Sequence, residues 1–591
     1  MVMKSYQRTA TVLQLLGCAA LSCLLLPGAS ASSSTARDTE DSNALIMTAE
    51  IALQRNDCGR AATNYAVAAQ RLSDVKLAER AASVALDCGQ YQAAERAAAR
   101  WRQLTTQTNP GALRATMRAE LGLYKIDDAR AAFEGWIKTR ADDPRSSGAH
   151  SNADPASSPE QNIAARVTQV AQEAGVPATL AMLRGVQATQ MQSGPAQLAL
   201  AALAFDGWNY HEAVQYAERA LSAGAERGPT QLVLARAYAG LGDADQAVAA
   251  AAAARTAAPK EQSFAGPDIL IMLGREREAR NALETLRDSG PAPMRAQAER
   301  RLGLMAYDRG DYEDAKGIFT TLMRDPESSG VAVYYLSAIA ERRGDVGTAL
   351  HGYQLLTGTA LEAAARNRAA TILYKQGQRA DALQLLQAAD EAAPTARLEA
   401  EVAQAQLLSN NGEGQQALAR IDDALARFPG HPDLLYQKAI VLEKSGRTDA
   451  AISQLEALYR DRPQDGAVSN ALGFLLADHN RELARADRLI AAALKAEPDN
   501  PAILDSKGWL EYRQGMPRAA LPLLERAFHL DQDGDIGAHW GEVLWSLGEK
   551  AKAREAWNRA LMVDPDNALV KAAQQRAGVP TLENSGKGTS I

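Results

Sequence analysis

The chain has 591 residues, a formal net charge of −7 and an aromatic content of only 5%. Abundant alanine with scattered strand-favouring residues excludes a sheet-built protein and favours helices packed closely on small side chains. The acidic balance, with no basic patch interleaved with aromatics, excludes a general attraction to nucleic acid or anionic lipid.

Residues 1–31 read as an export signal. Lys4 and Arg8 supply the positive end, residues 10–26 the apolar stretch, and Ala29-Ser30-Ala31 a small-residue cleavage site. The apolar run is short for a membrane span and is broken by Gln14 and Ser22. Cleavage after Ala31 is the preferred reading. Lipidation is the second, because Leu15-Leu16-Gly17-Cys18 resembles a lipobox and Ala20-Leu21-Ser22-Cys23 is a weaker version of it. Either route exports the body to the periplasm, the second leaving it anchored on the outer membrane.

Residues 32–43 are expected to be a disordered mature N-terminus. Three helix pairs follow over 44–143, and they contain the triplet Asp-Cys-Gly twice, at Cys58 and Cys88. The stretch 144–161 is rich in Ser, Pro, Asn and Gly without helical period, and is expected to be a flexible loop. A degenerate helix pair occupies 162–193. The main array runs over 194–567, and 568–591 is expected to hold a helix end and a disordered tail.

Self-similarity dominates the main array. A glycine followed by a polar residue, with alanine about five residues on, recurs at Gly242, Gly274, Gly310, Gly344, Gly377, Gly412 and Gly446, then at Gly515 and Gly548. The period is near 34, and with helix–turn–helix patterning it points to tetratricopeptide repeats. In the last two repeats Gly508, Ala520 and Ala527, then Gly541, Ala553 and Ala560, fall where helices cross closely. Trp557, Leu524 and Phe319 fill a large apolar slot on the second helix. Asp499-Asn500-Pro501 is a helix start, with capping side chains and proline at the first helical position. Gly515 and Gly548 end first helices. Lys438, Lys507 and Glu511 depart from the apolar pattern, and Lys507 and Glu511, four apart, are expected to pair on one helix face.

These residues resemble the tetratricopeptide-repeat superfamily over about 44–567. The resemblance implies an all-α, right-handed superhelical solenoid of about 14–15 helix pairs, with first helices lining a concave groove. Such a groove commonly receives a peptide or another protein's segment. Carried onto this chain, the groove positions are Tyr436, Asn470, Phe474, Asp505, Trp509, Tyr512, Arg513 and Trp545. Trp, Tyr and Arg are the types that dominate interface energies, though the same aromatics also suit the seams between repeats. Stretches such as NPAILDSKGWLEYRQG are similar to proteobacterial envelope proteins of this superfamily, among them outer-membrane lipoproteins that hold a carboxy-terminal processing protease. The function implied is a non-catalytic exported adaptor binding an envelope protein or peptide, with such a protease as one partner. The alternative is a periplasmic scaffold for exopolysaccharide export or cell-wall assembly. A third class, an envelope enzyme or metal carrier, lacks a site in the sequence.

The search for chemistry supports the non-enzymatic reading, with no cofactor and no metal. Gly412-Glu413-Gly414-Gln415-Gln416-Ala417 imitates a dinucleotide fingerprint but has no strand before it. Residues 531–542 place acids as a calcium loop does, yet Ile536 stands where glycine is required. The seven histidines are dispersed, and stacked repeats are expected to bring distant residues together poorly.

Export favours disulfides, and the two cysteines have neither a C-x-x-C nor a nearby histidine. Equivalent positions in neighbouring repeats would lie about 8–10 Å apart, too far to bridge. The spacing of 30 is offset from the period, however. Aligning Ala61 with Ala94 puts Cys58 at the start of one second helix and Cys88 at the end of the next first helix. Antiparallel neighbours bring those ends together, so a Cys58–Cys88 bridge is expected to clamp the terminal repeat.

Overall fold

The computed structural model describes residues 32–105, 108–139, 159–261, 263–387 and 394–579. The signal segment with Cys18 and Cys23, most of the 144–161 loop and the tail from 580 lie outside the described residues. Among the described residues there are 31 α-helices and one short 3₁₀ helix, with no strand. They make fifteen antiparallel pairs and a last helix, Ala568–Arg576, that covers the final pair. The protein is an all-α superhelical repeat fold.

Local chemistry explains the elements. Asn500 caps the helix Pro501–Arg513 by accepting the Ala502 and Ile503 backbone N–H groups, and Pro501 takes the first position, where no N–H is needed. The helix stops at Gly515, whose φ of +81° is costly for any residue with a Cβ. The partner helix, Pro517–Leu530, then packs back. A Cβ on Gly508 would stand 2.7 Å from Leu524 Cγ, so the crossing tolerates no side chain there. Ala520, Leu524 and Ala527 are fully buried beneath it, as are Trp557 and Phe319 in their repeats. The polar departures are paired. Lys507 meets Asp487 at 2.7 Å and Glu511 at 3.5 Å, and Lys438 meets Asp422 at 2.7 Å.

Two expectations need correction at the N-terminal end. The first helix runs Ser32–Gln54, so the 32–43 segment is helical, not disordered. Ser42 is fully buried, and Ala49 and Ala52 pack against the helix Cys58–Arg71. The helix Pro159–Ala174 also starts within the stretch assigned to the loop. The pair after it is irregular as expected, its second helix reduced to Val176–Leu183 and followed by the 3₁₀ turn Thr189–Gln192.

The larger correction concerns distant repeats, which meet extensively. Loops between C-terminal repeats dock on the turns inside N-terminal ones. Gln90 Nε2 donates to Pro429 O at 3.0 Å, and the Arg462 guanidinium donates to Gly122 O and lies 5.4 Å from the Tyr124 ring centre. Asn209 Nδ2 and Arg184 Nη2 both donate to Ala496 O, at 2.6 and 3.1 Å. Asp499 N–H donates to Trp208 O, Tyr210 N–H donates to Asp499 Oδ2, and Arg526 reaches Gly240 O. Further along, Arg342 Nη2 donates to Val563 O and Lys375 pairs with Asp566 at 2.6 Å. Both chain positions advance together, so one superhelical turn lies alongside the next. A single buried cluster consequently joins Ala49–Ala119 to Ala370–Leu510.

Candidate functional site: an aromatic and acidic cluster on first helices

The structure gathers five of the eight groove residues named from sequence. Phe474 comes from the helix Gly466–Asp478, and Asp505, Trp509, Tyr512 and Arg513 from Pro501–Arg513. Phe474, Asp505 and Trp509 meet His539, on the first helix of the next repeat, Gly534–Ser546, while Tyr512 and Arg513 flank Trp509. Its ring stacks on Trp509 at 4.1 Å between centres and lies 5.9 Å from Phe474. His539 Nδ1 is 3.0 Å from both Asp505 oxygens. Trp509 Nε1 donates to Asp478 Oδ1 at 2.9 Å, and Arg513 sits 5.8 Å from the Trp509 ring centre. Tyr512 adjoins Trp509 at 5.2 Å.

Burial divides this set. Trp509 is 5% exposed and Asp505 7%, so neither presents a face to a visitor; they build the wall. The half-buried Tyr512 and Arg513 form its accessible edge. Burial works against a charged His539, but the Asp505 carboxylate overrides it, aided by Asp535 and Asp478, and the imidazole pKa lies above its ordinary value. The cluster therefore sets His539 beside three acidic side chains that favour its charged form.

The other three residues lie apart. Trp545 leans on Trp557 at 5.7 Å, with Lys550 and Arg554 over its ring, and so occupies the seam with its own second helix. Tyr436 packs at the margin of the large core cluster. Asn470 Oδ1 is buried without a hydrogen-bond partner among the described residues. Asp478 and His539 escaped the sequence reading. The spacing of Asp505 and His539 is 34, one full repeat, and that register was the available signal.

The mimics of known sites resolve into helix ends. Gly412 has φ +80° and joins two helices, and Asp533 caps Gly534–Ser546 by accepting the Asp535 and Ile536 N–H groups. Among the described residues no group of His, Cys, Asp or Glu is placed to hold a metal, and no helix is long and apolar enough to cross a membrane. Cys58 and Cys88 are bonded, their Cα atoms 5.4 Å apart, at the helix start and helix end expected.

A tetratricopeptide-repeat family model matches residues 270–329 and 402–468. The chain contains tetratricopeptide repeats. It is 32% identical over 211 residues to a TPR repeat-containing protein of Pseudomonas aeruginosa, a match covering 36% of each chain. It thus aligns with about a third of that relative's length. Among solved structures, a thermophilic TPR protein of Thermus thermophilus is 20% identical, covering 30% of this chain and 96% of that one with a TM-score of 0.28. A tetratricopeptide repeat protein of Parabacteroides merdae is 15% identical, covering 42% and 99% with a TM-score of 0.31. Repeats of this kind form scaffolds that bind protein or peptide partners, generally without catalysis.

Proposed function

We propose that this protein is an exported, non-catalytic adaptor that receives an extended segment of another envelope protein along its C-terminal first helices. The observation that carries the reading is the accessible edge Tyr512–Arg513, backed by the rigid Asp505–His539–Trp509 wall. An aromatic and an arginine on a pre-ordered support are what interface energetics favour, because little side-chain freedom is lost on binding. The sequence likeness to envelope adaptors makes a carboxy-terminal processing protease the partner to try first, and a component of exopolysaccharide export or cell-wall assembly the second.

Purified protein would be mixed with the purified protease, measuring both affinity and peptide-cleavage rate. The paired change Tyr512→Ala and Arg513→Ala is expected to weaken binding at least tenfold with an unchanged helical signal. Undiminished binding removes this edge from the interface, and no binding by the unaltered protein removes the protease.

A further inference from the structure

A second recessed surface lies where the two superhelical turns face each other. A cavity of about 520 Å³ opens between the end of the first helix, at Arg55 and Asn56, and residues from Ala380 to Arg427 of the later turn. Four arginines line it: Arg55, Arg397, Arg420 and Arg427. Among the described lining residues Glu401 is the one acid, and its charge is already engaged, by Arg427 at 2.6 Å and Arg420 at 3.7 Å. Arg397 has a further partner in the chain. The remaining polar lining is amide: Asn56, Gln384, Gln387 and Gln404. Gln404 is spent internally, accepting from Arg420 and donating to Leu383 O, both at 2.6 Å. A concentration of positive charge is thus held in a recess of a chain whose net charge is −7.

Like charges at close quarters repel, and a recess with low-dielectric walls strengthens the field they make. Guanidinium groups present forked donors that match phosphate and carboxylate oxygens. The volume is in the range of small-molecule sites. We propose that this cavity binds a small polyanion bearing phosphate or carboxylate groups, contacted by Arg55 from the first turn and by Arg420 and Arg427 from the later one. Because the lining comes from both turns, the bound anion bridges them.

The test is calorimetric titration of the full exported chain with pyrophosphate and, separately, with citrate, in low salt. The two arms distinguish a phosphate ligand from a carboxylate one. Binding of either probe is expected, weakened at least tenfold by Arg55→Glu and little changed by Arg60→Glu. Arg60 lies outside the lining with a side chain 64% exposed, so its replacement alters net charge equally without touching the cavity. Thermal unfolding of both variants establishes that they fold. Absence of binding by either probe, or equal weakening by the two substitutions, overturns the proposal. Asp390 and Glu391 stand in the adjoining sequence. Binding that emerges only after Asp390→Asn and Glu391→Gln also overturns it, since the chain's own acids would then be the occupant.

Discussion

Asp499 and Trp208, 291 residues apart, share a backbone hydrogen bond of 3.0 Å, from the Asp499 N–H to the Trp208 carbonyl. The Asp499 side chain extends the link. One oxygen accepts the Tyr210 N–H at 3.0 Å, and the other meets Arg526 at 2.5 Å. Replacing it with alanine leaves the buried Tyr210 N–H without its acceptor and takes the carboxylate from the half-buried Arg526, which retains Gly240 O. Asp499→Ala is expected to cost about 2–3 kcal/mol. Urea unfolding would measure the loss, and small-angle scattering should show a larger radius of gyration as the turns part.

Both Asp-Cys-Gly triplets end in glycines that meet the same loop. A Cβ on Gly59 would stand 2.5 Å from Pro429 Cδ, and one on Gly89 would collide with the His431 ring. Gly89 also has φ +62°. Gly59→Ala is therefore expected to destabilise the protein by about 1–3 kcal/mol through overpacking, and Gly89→Ala to add backbone strain to the collision. Faster limited proteolysis within residues 44–143 is the readout.

Opening the Cys58–Cys88 bridge relaxes the unfolded chain and lets the terminal pair fray. Cys58→Ser with Cys88→Ser is expected to lower stability by about 3–4 kcal/mol on the chain-entropy model. Hydrogen exchange should speed up first in the helices Ser32–Gln54 and Cys58–Arg71. Equal protection with and without the bridge would contradict this.

Two buried histidines are expected to respond to pH in opposite senses. The pKa of His539 lies above its ordinary value, burial being outweighed by Asp505, so its contribution is complete below about pH 6.5 and is lost as pH rises through the folded pKa. His431 is shifted downward, chiefly by burial and with Arg462 adding to it against Asp433; it stabilises the neutral range and its contribution is lost as pH falls from about 6.5 through the folded pKa. Urea midpoints compared between the native chain and His539→Gln should differ most at mildly acid pH. Those for His431→Gln should differ most near neutrality.

The sequence revealed what is local. Helix starts such as Asn500-Pro501, stops such as Gly515, and small residues at crossings follow from propensity and a 34-residue period, and the offset of Cys58 from Cys88 was enough to pair them. What it concealed depends on pitch. Whether Asp499 meets Trp208 is decided by how far each pair rotates on the last, and that small rotation accumulates over many repeats without leaving a pattern in any one of them. His539 was hidden differently. Its role follows from register with Asp505 across a seam, whereas the aromatic residues drew attention one helix at a time. Trp545 shows the converse, an aromatic at a groove position that also packs against Trp557 of its own second helix.

An open solenoid is elastic, because each repeat can pivot slightly on its neighbour and the small rotations add up. Here extension must first break the contacts at Gln90, Gly122, Trp208 and Gly240. The coil is therefore latched rather than springy. It resists small loads as a stiff body and yields above a threshold, so a partner that needs a wider opening must release the latches together, whereas one that fits the closed coil meets a surface already set in place.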